Sequence, residues 1–222
     1  MVDINIKSKW ILIVMSGVFS YDLNTELDIA CKILRNGGVV AFPTDTVYGL
    51  GADVFNEKAV KKIFAIKHRS PALALPVLVS NSLQVGRVAA TVSDTAQLLM
   101  KHFWPGGLTI IMPKASAVPR SVTAGGDTIA VRMPHHDIPL LLMDKLGYPL
   151  IGTSANVSGN PSPLIFEDVE AQFGDTIDFI IRSNTCYGGM ESTIVDITSG
   201  VSIIVRRGIV SDDAIRNVLS HF

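Results

Sequence analysis

Two cysteines, Cys31 and Cys186, are all that this 222-residue sequence contains, and they stand far apart with no CxxC or Cys/His spacing. That scarcity argues against a disulfide framework and a structural zinc site, and it reads as a reducing cytosol. Charge of one sign is lacking too: 19 Lys and Arg against 20 Asp and Glu leave a formal net charge of -1. A protein that grips nucleic acid with its whole surface carries a basic excess. Any phosphate contact must therefore come from a local cluster, and the densest is Lys58, Lys61, Lys62, Lys67, His68 and Arg69. Long apolar runs are missing as well. Trp10 to Met15 is too short to cross a bilayer and short even for a signal-peptide core, so no membrane role is expected.

Several catalytic signatures are absent in the same way. No Gly precedes a Lys, so there is no Walker A loop; GxGxxG, HExxH and GxSxG do not occur either. The five histidines show no metal-ligand spacing beyond the adjacent pair His135-His136, which reads as a solvated loop.

What is present is a globular composition, 48% hydrophobic and 18% charged, with ample material for a core. Apolar runs alternate with helical patterns and no linker divides them. Asn24 or Thr25 is expected to cap a helix with Leu27, Ala30, Cys31 and Leu34 on one face, ended by Gly37-Gly38. Val39 to Phe42 reads as a buried strand. A helix from Asn56 buries Val60, Ile63 and Phe64 and carries Lys67 at its end. Pro76 to Val79, Leu108 to Met112, Thr128 to Met133, Leu150 to Gly152 and Ile177 to Ile181 read as strands. Ser93, Asp137 and Ser211 are expected to cap helices, and Phe166 to Phe173 reads as another. Ser192 to Ile197 and Val201 to Arg206 form a hairpin through Thr198-Ser199-Gly200. The expectation is an α/β fold: a layered single domain, a twisted mixed sheet flanked by helices. Residues 1–20 read as a loosely ordered extension and residues 21–222 as the domain.

Polar turns follow the buried strands: Pro43 to Gly51, Lys67-His68-Arg69, Arg132 leaving its strand, Thr153 to Gly159, Glu191-Ser192-Thr193 and Arg206-Arg207-Gly208. Any one of them is an ordinary loop. Ligands of open α/β sheets bind beyond strand ends, and cations recurring beside hydroxyls suit anions and amino acids.

The ordered set PTDTVYGLG (43–51), KxR (67–69), WPGGLT (104–109), VRMP (131–134), TSANVSG (153–159), STIVD (192–196) and RRG (206–208) resembles the YrdC-like threonylcarbamoyl-AMP synthases. The resemblance spans about 24 to 220. It implies a deep, positively lined cavity and the condensation of L-threonine, bicarbonate or CO2 and ATP into threonylcarbamoyl-AMP, a tRNA-modification precursor. By position it implies that Thr44, Arg132, Ser154 and Ser192 hold threonine. Lys67, Arg69, Thr128, Gly152, Ser162 and Arg206 would surround the nucleotide, with Lys67 and Arg69 as the catalytic pair. Mg2+ would arrive with ATP, with no protein cage for a metal. The product would pass to a tRNA threonylcarbamoyl transferase complex, with room for a weak tRNA contact.

The sequence also departs from the pattern. KxRP becomes Lys67-His68-Arg69-Ser70-Pro71, and Ala74 to Val79 lacks the Asn-Pro-Leu and His of longer relatives. WPGGLT replaces the commoner WPGPLT. The extra C-terminal domain of longer relatives is not expected in a chain ending at 222. Two rivals stand beside this reading: a non-catalytic binder of tRNA or double-stranded RNA, and an enzyme of a different carbamoyl-adenylate. The first rests on the basic cluster alone, without stacking aromatics. If Lys67 stabilises charge at the α-phosphate, Lys67→Ala lowers kcat by about 10²–10³ and leaves the fold intact.

Overall fold

A computed structural model describes residues 22–182, 186 and 188–220. The expected extension 1–20, with its Trp10 to Met15 run, lies outside the described residues.

The chain opens with α1 (Leu23–Arg35), which buries Leu27, Ala30, Cys31 and Leu34 as the periodicity requires. Its cap is Asp22, not Asn24 or Thr25: the Asp22 carboxylate accepts from Asn24 N, two or three residues earlier than expected. Next come β1 (Val40–Phe42) and β2 (Gly49–Gly51), then α2 (Glu57–Lys67), whose Asn56 cap accepts from Lys58 N and Ala59 N. β3 (Val77–Leu78), α3 (Ser82–Val88) and α4 (Asp94–Phe103) follow, α4 capped by Ser93 as expected. β4 (Leu108–Pro113) and β5 (Thr128–Arg132) lead to α5 (Asp137–Leu146). The cap of α5 is His136, whose Nδ1 accepts from Ile138 N, one residue before the expected Asp137. β6 (Leu150–Ile151), β7 (Thr153–Ser154), α6 (Phe166–Phe173), β8 (Phe179–Ile180), β9 (Thr193–Asp196), β10 (Ile203–Arg206) and α7 (Asp212–Leu219) complete the order.

The fold is mixed α/β, and its strands divide between two mixed sheets where one was expected. Four strands run β7-β2-β1-β8, and six run β10-β9-β4-β5-β3-β6. In the first, β1 is antiparallel to β2 and parallel to β8. In the second, β4 is antiparallel to β5 and parallel to β9, while the β9–β10 hairpin is antiparallel. β6 belongs to the larger sheet and β7 to the smaller, so the chain crosses between them at Gly152. A Cβ on Gly152 would sit 2.2 Å from the Leu78 side chain, which leaves glycine as the residue that fits.

The larger core gathers Tyr48, Leu50, Ile63, Val77, Leu99, Ile110, Val131 and Val195. A second cluster packs α1 against α5 and β1 through Leu27, Leu34, Phe42, Met143 and Leu150. Along β4 and β5 the residues alternate in their degree of burial: Ile110, Met112, Ile129 and Val131 are fully buried, while Ile111 and Ala130 line a cavity. Among the described residues no helix is long and apolar enough to cross a membrane.

Candidate active site

That cavity has a volume of about 490 Å³ and draws its walls from both sheets and the end of α2. Thr44, Arg132, Ser154, Ser192, Lys67, Arg69, Gly152 and Arg206, all singled out from sequence, line it. Thr128 does not. It lies exposed at the first position of β5, opposite Pro113, four residues from the cavity end of the strand that Arg132 occupies. Ser162 is also outside the wall, but its Oγ donates to Oε1 of the lining residue Glu191 at 3.0 Å.

Arg132 is a tightly held cation. It ends β5, is 6% exposed, and spends three of its donors on the protein. Nε donates to Gly106 O and Nη1 to Thr46 Oγ1, each at 2.9 Å, while Nη2 pairs with Asp45 Oδ1. Burial lowers its pKa and the Asp45 carboxylate raises it again. Gly106 reaches this position through the turn after α4, where the Trp104–Pro105 peptide is cis and Trp104 Nε1 donates to Leu108 O at 2.7 Å. Thr44 is locked beside it: its Oγ1 donates to Val47 O at 2.7 Å and accepts from Thr46 N at 3.1 Å. Hydroxyls continue across the floor as Thr109 Oγ1 and Ser192 Oγ, 2.8 Å apart.

Lys67 lines the cavity but spends its donors on the protein. The residue is 1% exposed, and its ammonium donates to Ser154 O, to Asn156 O at 2.6 Å and to Asn156 Oδ1 at 3.3 Å. Asn156 Oδ1 also accepts from Ser154 Oγ at 2.6 Å. Lys67 thereby ties the end of α2 to the loop after β7 and sets the position of Ser154. Burial and the neighbouring Arg69 push its pKa down to about 8, against the pull of Glu191.

His68 closes α2 in the left-handed region (φ 50°), which turns Arg69 toward the cavity. Arg69 Nη2 donates to Ala74 O at 2.9 Å, and its Nε is buried without a hydrogen-bond partner among the described residues. The altered segment Ala74-Leu75-Pro76 thus still forms part of the wall. Arg206, at the end of β10, donates from Nε and Nη2 to Ser192 O at 3.1 and 2.8 Å and from Nη2 to Ser192 Oγ at 3.0 Å. Its Nη1 pairs with Glu191. The hairpin approaches closely here, since a Cβ on Gly208 would lie 2.3 Å from Glu191 O.

Asp45, Thr46, Gly106, Asn156 and Glu191 hold these groups and were not singled out as site residues. All of them sit inside the quoted polar motifs or beside them, so their positions carried a signal while their partners did not. Among the described residues no group of three or more His, Cys, Asp or Glu is placed to hold a metal ion.

Fold and site together define a class: a mixed α/β protein with one polar, cation-rich cleft at its strand ends. Residues 32–208 match the Sua5/YciO/YrdC family model, described as telomere recombination, and the chain belongs to that family. A threonylcarbamoyl-AMP synthase of Pyrococcus abyssi is 42% identical over 82% of this chain and 54% of its own length. One of Bacillus subtilis is 37% identical over 95% of this chain and 61% of its own. The crystal structure of P. abyssi Sua5 complexed with L-threonine superposes with a TM-score of 0.85 at 40% identity, covering 87% of this chain and 57% of that one. The chain therefore spans between half and two thirds of the length of these relatives.

Proposed function

We propose that this protein is a cytoplasmic enzyme, a nucleotidyltransferase that forms threonylcarbamoyl-AMP from L-threonine, bicarbonate or CO2 and ATP. The observation that carries the reading is that one cavity gathers both kinds of group, in a chain similar to a protein solved with L-threonine. Arg132, Thr44, Ser154 and Ser192 suit a carboxylate and a hydroxyl. Arg69 and Arg206, the latter in contact with Ser192, suit phosphate oxygens.

The chemistry balances without a covalent enzyme intermediate. Threonine's amine takes up CO2 and loses a proton, giving a carbamate; starting from bicarbonate, a water is released. A carbamate oxygen attacks the α-phosphorus, and the bond to the bridging oxygen breaks as pyrophosphate leaves. Such steps are accelerated by positioning and charge stabilisation. Arg132 orients the amino acid; Arg69 and Arg206 stabilise phosphate charge; Lys67 acts through Ser154, as a positioning residue. Mg2+ travels with the nucleotide. The product goes to a transferase that modifies tRNA, and exposed Lys58 and Lys61 on α2 offer a surface for weak RNA contact.

The deciding experiment incubates the protein with ATP, bicarbonate and a panel of amino acids and identifies adenylates by mass spectrometry. Threonine should be strongly preferred, serine intermediate and valine rejected, because a site built around a hydroxyl penalises its loss. Equal turnover of valine would remove the role given to Thr44, Ser154 and Ser192.

Lys67 makes the reaction sensitive to alkali. Its folded pKa of about 8 lies below the 10.5 of an unconstrained lysine. Between these values the unfolded chain binds a proton that the folded chain does not. The Lys67 contribution to stability therefore rises from pH 8 to 10.5 and is lost as pH falls through 8. Activity should move oppositely. A neutral amine has one donor fewer for its three acceptors, so kcat/KM should decline above pH about 8 while melting temperature does not fall with it. A rate flat to pH 9.5 would refute this.

A further inference from the structure

Glu191 is the one acidic residue of the cavity wall among the described residues, and its charge acts on both Lys67 and Arg69. Arg132 has its own partner in Asp45, so Glu191 serves the phosphate side. Its Oε2 accepts from Arg206 Nη1, and its Oε1 accepts from Ser162 Oγ at 3.0 Å. The pair is reachable from the cavity: the Arg206 side chain is 39% exposed and that of Glu191 36%. Arg206 is otherwise committed, with Nε and Nη2 on Ser192. Nη1 keeps a second N–H, but a phosphate oxygen that takes it comes up beside the Glu191 carboxylate and meets a like charge as it approaches.

Resting on the nucleotide reading of this cavity, we propose that Glu191 is a competing anion built into the phosphate side. It holds Arg206 before nucleotide binds, yields that guanidinium to the polyphosphate, and reclaims it as pyrophosphate leaves. Ser162 keeps the carboxylate in place for the exchange. A consequence is that bare polyphosphate binds weakly, whereas a polyphosphate carrying Mg2+ presents less charge to Glu191 and suffers less.

The test is calorimetric titration of the full chain with inorganic pyrophosphate, in EDTA and in Mg2+. Glu191→Gln should bind metal-free pyrophosphate at least about tenfold tighter than wild type, with the gain shrinking in Mg2+. Glu191→Ala, which removes the side chain's reach as well as its charge, should move in the same direction. Thermal melting verifies that both remain folded. Unchanged or weaker metal-free binding in the variants would overturn the proposal, because Glu191 would then only prop Arg206. Loss of affinity confined to the Mg2+ titration would overturn it too, since the carboxylate would then be a metal ligand. Wild type that bound neither pyrophosphate nor ATP would instead overturn the nucleotide reading beneath it, a result visible before any variant is made.

Discussion

Lys67→Ala should lose about 10²–10³ in kcat and, unlike a surface lysine, lower the melting temperature measurably. The sequence reading assigned the loss to catalysis alone. The structure revises that, because Lys67 spends its donors on Ser154 O, Asn156 O and Asn156 Oδ1. A buried acceptor left without a donor costs about 1–3 kcal/mol. Removing a buried, desolvated ammonium returns part of this, so a smaller net cost of about 0.5–2 kcal/mol is the expectation. For a chain of this size each kcal/mol corresponds to roughly 2–4 °C. The position near the negative end of α2 adds only about 0.3–1 kcal/mol. Lys67→Met keeps most of the stem and should recover some stability but no activity. Pyrophosphate release and thermal melts of the two variants decide the matter: near wild-type kcat in either one would defeat the positioning role.

The inward direction of Lys67 is legible in the sequence. Val60, Ile63, Phe64 and Lys67 stand at i, i+3, i+4 and i+7, so the stripe that buries the first three carries the lysine inward with them. What one sequence could not supply was the identity of its acceptors, since Ser154 and Asn156 arrive from a strand far along the chain. The same division holds for the elements. Ser93 and Ser211 cap their helices as read, and Asn56 caps the helix read to start near it, because a cap is a contact between residues two or three apart. Phe166 to Phe173 is a helix over the bounds read for it although Ile165 before it makes no side-chain cap bond; Val169 and Phe173, four residues apart, bury one face.

Elements made by distant pairing were harder to read. Gly49–Gly51 looked like part of a polar turn, and two glycines in three residues argue against a strand. It is nevertheless a strand because β1 and β7 flank it on both edges. Gly86 interrupts the apolar pattern of Ser82–Val88, which is nevertheless a helix capped by Asn81. The division into two sheets depends on the crossing at Gly152, which separates two strands of two residues each. Nothing in the local apolar pattern marks that change of partner. At the site, residue types were readable while roles were less so: the motifs contained the cations and hydroxyls, but long-range geometry decides which cation faces the cavity and which braces it.

Arg132→Ala should be the most damaging single change, in stability as well as in use of the amino acid. It leaves the Asp45 carboxylate, only 17% exposed in its side chain, without its partner. Breaking a buried pair in this way costs about 3–5 kcal/mol. It also removes the guanidinium assigned to the amino-acid carboxylate, so the apparent KM for threonine should rise by about 10²-fold or more, the size of losing a charge-assisted pair of about 3 kcal/mol. Arg132→Lys keeps the charge but cannot reach Gly106 O, Thr46 Oγ1 and Asp45 together from one planar fork. It should recover part of the stability and little of the affinity. The double variant Arg132→Met with Asp45→Asn separates the two roles. Removing both charges removes the unpaired carboxylate, so its melting temperature should stand above that of Arg132→Ala. Threonine use should stay at the level of the single variant, because no cation faces the ligand. The cycle is therefore expected to show strong coupling in stability and none that restores activity. If the double variant regained threonine turnover, Arg132 would be a brace for the Asp45 loop and the carboxylate would have to be bound elsewhere.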